Sequence, residues 1–124
     1  ISKLANQIIV GVTIGAVAEA VTLCEKSGTN PSKMIEALSG GWADSKILQT
    51  HGKRMIDKDF SPKGKTTTQL KDMTNIINAG KAVETHLPIS SLIKEMYKNL
   101  VDDGLGNTDH SSLYNEIKKI NKTK

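Results

Sequence analysis

Ser2-Lys3-Leu4-Ala5-Asn6-Gln7-Ile8-Ile9-Val10-Gly11-Val12-Thr13-Ile14-Gly15-Ala16-Val17-Ala18 is the stretch whose reading decides the fold. Lys3, Asn6 and Gln7 are three and four residues apart, so on a helix a cation and two amides project from one face at one level. Behind them Ile8, Ile9, Val10, Val12, Ile14, Val17 and Ala18 leave almost no polar side chain around the helix, the pattern of a rod buried on more than one side. A polar head at the end of a buried rod is the expected centre of the molecule.

The 124 residues make one domain by size. Charged residues at 24% and hydrophobic ones at 37% fit a globular domain, and only 3% aromatic content leaves aliphatic side chains and methionine to fill the interior. The net charge of +4 is mild, and its lysines are densest at the end, at Lys118, Lys119, Lys122 and Lys124. Without interleaved aromatics these read as a solvated tail and not as a nucleic-acid groove. Cys24 is the one cysteine, so no internal disulfide can form, which suits a reducing compartment such as the cytoplasm. The uncharged run from Leu4 to Ala18 is short of the roughly 20 residues that span a bilayer. It continues into Glu19-Ala20-Val21-Thr22-Leu23 without a cleavage site, so neither a membrane segment nor a signal peptide is expected. Gly11 and Gly15 mark a close helix crossing.

Taken outward from that stretch, the chain reads as helices throughout. The first helix is predicted from Ser2 to Lys26 or Ser27, ended by Gly28 in a left-handed conformation. Asn30-Pro31 supplies a cap and a first-turn proline for a short second helix, closed by Gly40-Gly41. Ile47, Leu48, His51, Met55 and Ile56 keep a third helical stripe, with Gly52 as a point where the axis could bend. Asp59 to Lys65 is a loop, and Thr66-Thr67-Thr68 caps a helix carrying Leu70, Met73, Ile76, Ile77, Gly80 and Val83 to about Glu84. From Pro88 the residues Ile89, Leu92, Ile93, Met96, Tyr97, Leu100 and Val101 follow helical spacing until Gly104-Leu105-Gly106. A last helix, capped near Thr108 or Asp109, carries Leu113, Ile117 and Ile120. No stretch alternates as a strand does.

Among the chemically active side chains, His51, His86 and His110 lie far apart in sequence without ligand spacing, so no metal site is expected. Cys24 reads as packing, and Gly40-Gly41 as a break between helices, since no strand precedes it and no Lys-Ser follows. Glu19 falls at the core boundary and is expected to need a donor from a neighbouring helix. Lys3 has two readings. It can snorkel into solvent, or it can stand with the amides at a small polar substrate, donating a proton to a nascent alkoxide or taking one from a hydroxyl.

The residues Lys3-Leu4-Ala5-Asn6-Gln7-Ile8-Ile9-Val10, Glu19-Ala20, Gly40-Gly41 with Ser45, Gly52-Lys53-Arg54-Met55-Ile56, Phe60, Lys71-Asp72, Pro88, Asp102, Gly104 and Asp109-His110-Ser111 carry a resemblance. In order and spacing they resemble the C-terminal half of the β-hydroxyacid dehydrogenases, the 3-hydroxyisobutyrate dehydrogenase-like family. Lys3-x-Ala5-Asn6-Gln7 and Gly52-Lys53-Arg54-Met55-Ile56 are most similar to its branch of tartronate semialdehyde (2-hydroxy-3-oxopropionate) reductases. The resemblance implies an all-α domain built around one long N-terminal helix, as in the C-terminal domain of 6-phosphogluconate dehydrogenase-like enzymes. It implies that residues 1–124 follow an N-terminal Rossmann domain absent from this sequence, and that they pack against a second subunit as a homo-oligomer.

It also implies that Lys3 is the catalytic acid and base, that Asn6 and Gln7 bind substrate, and that Lys71 reaches an NAD or NADP cofactor. The implied chemistry is hydride transfer between that cofactor and a small semialdehyde or hydroxy acid, with tartronate semialdehyde reduced to glycerate. Where the family commonly has Gly-Phe after a proline, Pro62 here leads into Lys63-Gly64-Lys65. No strand, glycine turn and helix of a dinucleotide fold occurs in the 124 residues, so this chain alone is expected to be inactive. The alternatives are a 3-hydroxyisobutyrate dehydrogenase or a related enzyme of the family, and a non-catalytic helical oligomerisation module. A cleft lined by Lys3, Asn6 and Lys71 would separate the enzyme from the module.

Overall fold

A computed structural model describes residues 1–121; Lys122 and Lys124 of the expected tail lie outside them. Six α-helices follow one another: α1 (Ser2–Lys26), α2 (Pro31–Leu38), α3 (Lys46–Asp57), α4 (Thr66–Ala82), α5 (Pro88–Asp102) and α6 (Leu113–Ile120), the last preceded by a 3₁₀ turn, His110–Ser112. The fold is all-α, as expected. Among the described residues the only β pairing is an isolated antiparallel bridge between Lys65 and Asp109.

The apolar run of α1 makes it the axis of the bundle, and every other helix packs against it. Ile14, Ala18 and Val21 are fully buried, and they meet Leu48 and Met55 of α3, Met73 and Ile76 of α4, Ile93, Tyr97 and Leu100 of α5, and Leu113 and Ile117 of α6 in one core. By length and hydropathy α1 could also cross a bilayer, since its 25 residues include an 18-residue window of mean hydropathy 1.8. Here its middle is the core of the bundle. Gly11 and Gly15 permit the close approach their spacing predicts. A Cβ on Gly11 would stand 3.0 Å from Met73 Sδ, and one on Gly15 would stand 2.7 Å from Ile93 Cδ1. The ends of α1 are less enclosed than the sequence suggests, with Ile9 66% and Leu23 70% exposed.

The expected stops hold. At the end of α1 the Gly28 amide reaches Glu25 O and the Thr29 amide reaches Cys24 O, and Gly28 has φ +78°. This double closure satisfies two of the helix's orphan carbonyls, and it repeats at Gly104 (φ +87°), where Leu105 N donates to Leu100 O. Asn30 caps α2 by accepting from the Ser32 amide, and Asp109 caps the 3₁₀ turn by accepting from the Ser111 amide.

Gly52 is buried in α3, and a Cβ there would lie 2.8 Å from Ile35 Cδ1, so it admits α2. Three expectations change. Thr66 to Thr68 do not cap α4, because the first amides of the helix are taken by Thr108 O and Gly106 O, while the buried Thr66 hydroxyl reaches Asp109 O. Glu19 is exposed, and none of the described residues bonds to it; the acidic residues that do tie helices together are Glu25, which accepts from Tyr114 Oη at 2.6 Å, and the buried Glu116, which accepts from Asn99 Nδ2 at 2.8 Å. The largest fully buried side chains are Tyr97 and Tyr114, so the interior is not wholly aliphatic.

Candidate active site

The first two turns of α1 and the middle of α4 lie side by side, and their polar groups join in a chain. Asn6 Nδ2 donates to Gln7 Oε1 at 2.8 Å, and Gln7 Nε2 donates across to Asp72 Oδ2 at 2.8 Å. Asp72 thereby fixes the Gln7 amide, which in turn orients Asn6. A half-buried carboxylate that accepts from an amide is a firm anchor for such a relay.

Lys3 stands one turn before these amides on the same face of α1, and Lys71 precedes Asp72 on α4; both lysines are exposed. Neither has a hydrogen-bond or ion-pair partner among the described residues, so both ammonium groups are available to an anion. The structure therefore unites Asn6, Gln7 and Asp72, with Lys3 one turn earlier on α1 and Lys71 next to Asp72 on α4. What it forms is an open ledge, with Lys3, Asn6 and Lys71 all exposed, and not the enclosing cleft that the sequence leads one to expect. Beside the ledge runs an apolar groove of about 180 Å³ whose walls include Ile1, Leu4, Ile8, Ile76, Val83 and Leu87.

A second polar cluster, which spacing alone does not announce, lies where the 59–65 loop meets the 3₁₀ turn. Asp109, 1% exposed, accepts at Oδ1 from the amides of Lys63 and Gly64, both at 3.0 Å, and at Oδ2 from the amide and hydroxyl of Ser111. Arg54 Nε lies 3.5 Å from the same Oδ2. Burial would raise this carboxyl, but the hydrogen bonds from Ser111, Gly64 and Lys63 outweigh it and hold Asp109 far below the usual carboxylate range. The fold also brings together two of the histidines that the sequence keeps apart, with His51 Nε2 and His110 Nε2 2.9 Å from each other. His86 stands exposed in the α4–α5 loop.

Residues 1–117 match the sequence pattern of a family described as NAD-binding of NADP-dependent 3-hydroxyisobutyrate dehydrogenase. The chain belongs to this family. The relatives of this family member include 2-hydroxy-3-oxopropionate reductase of Escherichia coli (strain K12), 39% identical over 111 residues that make up 90% of this chain and 38% of that protein. They also include the probable 3-hydroxyisobutyrate dehydrogenase-like 1, mitochondrial, of Arabidopsis thaliana, 29% identical over 97% of this chain and 36% of that protein. Among solved structures, 3-hydroxyisobutyrate dehydrogenase from Salmonella typhimurium superposes with a TM-score of 0.87 at 24% identity, covering 92% of this chain and 40% of that one; this likeness establishes the fold. The chain thus spans about two fifths of the length of the relatives it matches. Its helical fold is that of the family.

Proposed function

We propose that this domain forms the substrate side and subunit contact of a β-hydroxyacid dehydrogenase that reduces tartronate semialdehyde (2-hydroxy-3-oxopropionate) to glycerate. The observation that carries the reading is the Asn6–Gln7–Asp72 chain, with exposed Lys3 one turn before it on α1 and exposed Lys71 next to Asp72 on α4, neither lysine having a partner among the described residues. That arrangement suits a small, anionic, oxygen-rich substrate, whose carboxylate and carbonyl need cations and amide donors at fixed positions.

The nicotinamide cofactor, NAD or NADP, supplies the hydride when bound. Lys3 holds the proton that the substrate oxygen takes up as the carbonyl becomes a hydroxyl, and returns to the same role as base in the reverse direction. Asn6 binds the substrate, and Gln7 orients Asn6 while remaining tied to Asp72. Lys71, exposed at the ledge, suits the edge of a phosphate-bearing cofactor, and the open geometry accommodates one. The residues here fit such an edge contact only, so the bulk of the dinucleotide belongs to an N-terminal Rossmann domain. The apolar groove beside the ledge, with Ile1 94% exposed, suits the cover such a domain would provide.

A homo-oligomer is part of the same proposal. Leu23, Leu92 and Ile120, each more than 60% exposed, line a second groove between α1, α5 and α6 that is apolar enough for a subunit contact. A cytoplasmic setting agrees with the lone, unpaired Cys24. The relatives of the 3-hydroxyisobutyrate dehydrogenase type support a second reading, in which the same ledge serves 3-hydroxyisobutyrate or a related β-hydroxyacid.

The test is Lys3→Ala in the enzyme that carries this domain together with its dinucleotide domain. Turnover of tartronate semialdehyde should fall by about 10³-fold or more with the melting temperature unchanged, and the 124-residue chain alone serves as the inactive blank. Lys3, Asn6 and Lys71 are exposed and not enclosed in the cleft that marks an enzyme over a module, so near-normal turnover by the variant would remove Lys3 from the chemistry and leave a purely structural module.

A further inference from the structure

His51, in the middle of α3, and His110, in the 3₁₀ turn, meet ring to ring with centroids 4.8 Å apart and an interplanar angle of 56°. What surrounds them determines where their protons are. His51 Nδ1 lies 2.9 Å from Thr50 Oγ1, and the Thr50 hydroxyl spends its one proton on Lys46 O at 2.8 Å, so toward His51 it can only accept. His110 Nδ1 lies 3.1 Å from Gln69 Oε1, an amide carbonyl oxygen that also only accepts. With Thr50 Oγ1 and Gln69 Oε1 accepting, both neutral rings carry hydrogen on Nδ1. Their Nε2 lone pairs then face each other across 2.9 Å.

Two lone pairs at that distance repel, and an electrophile between them relieves the repulsion. A metal ion suits that place, because histidines that ligate metals through Nε2 have their Nδ1 hydrogen held by an acceptor, as Thr50 and Gln69 hold these. Gly64 keeps a side chain off the Nε2 edge of His110; a Cβ there would stand 3.1 Å from both His110 Cε1 and Nε2.

We propose that His51 Nε2 and His110 Nε2 form a two-nitrogen site for a divalent transition-metal cation of the zinc class, stapling α3 to the 3₁₀ turn. Zinc–imidazole bonds of about 2.05 Å in a tetrahedral arrangement set the two nitrogens about 3.3 Å apart. A small rotation of either ring from the observed 2.9 Å provides that separation. Asp109, whose ligand atom lies within 4.8 Å of the histidine nitrogens, is saturated by its own four donors and by Arg54. It supplies negative charge without ligating, and water completes the coordination. Imidazole nitrogen selects zinc, nickel or copper over calcium or magnesium. The site shares no ligand with the Lys3 ledge and does not depend on the reductase reading.

Titration of the metal-stripped chain with zinc chloride, followed by calorimetry and by long-range ¹H–¹⁵N spectra of the imidazoles, tests the site. One zinc per chain should bind, moving the Nε2 resonances of His51 and His110 while both Nδ1 atoms stay protonated. His51→Gln and His110→Gln should each weaken binding by at least about tenfold, and His86→Gln should leave it unchanged. Three results would overturn the site: no heat and no Nε2 shift at millimolar zinc, binding that survives both substitutions, or a proton shared between the rings that zinc does not displace. The spectra of the unsubstituted chain decide the matter even if a variant fails to fold.

Discussion

Glu25 shows at the scale of one residue how the C-terminal end of α1 is tied down. Its carboxylate accepts from the Tyr114 hydroxyl at 2.6 Å and pairs with Lys58, the residue that closes α3, at 2.9 Å, joining α1 to α6 and to the end of α3. Partial burial raises its pKa, but the hydrogen bonds from Tyr114 and Lys58 outweigh that and leave it net lowered from 4.5. A carboxylate depressed in the folded state stabilises the fold above its unfolded pKa, and the contribution is lost as pH falls through 4.5 toward the folded value. Glu25→Gln should therefore melt about 3–5 °C lower at pH 7, with the gap closing as melts are repeated down to pH 3; a gap independent of pH would show the charge to be idle. Among single residues, those of the α1 head were legible in the sequence, because three-and-four spacing fixes which side chains share a face. The partner of Gln7 was not: Asp72 lies 65 residues away, and no local period encodes that meeting.

At the scale of elements, local chemistry carried most of the reading. Asn30-Pro31, Gly28, Gly104 and Asp109 each start or stop an element where the chain leads one to expect it. The failures come where another element supplies what the local residues would have supplied. The threonines opening α4 are not its caps because carbonyls of the 106–108 turn already take its first amides. Gly80 belongs to the same class: it sits on the apolar face of α4, yet its purpose lies in the turn to α5. A Cβ there would stand 2.9 Å from the carbonyl oxygen of Thr85, whose amide donates to Gly80 O at 2.8 Å. Gly80→Ala should therefore destabilise the domain by about 1–3 kcal/mol, despite a helix-propensity gain of up to about 1 kcal/mol. Gly41→Ala, where the nearest atom is an ordinary 3.4 Å away, should be close to neutral. Urea unfolding of both variants checks the pair.

For the whole molecule, the all-α class and the central position of α1 follow from one apolar run, whereas the pairing of His51 with His110 follows only from how α3 and the 3₁₀ turn settle around that axis. A 59-residue separation in sequence says nothing about such a pair. The same packing decides which aromatic rings are enclosed, and it encloses the two tyrosines while leaving Trp42 in the α2–α3 loop entirely bare, at 107% of its reference area. The indole is thus bathed by water before the protein is ever denatured. Its emission maximum should already be that of a solvated fluorophore and should scarcely move in guanidinium, while the far-ultraviolet dichroism of the helices collapses.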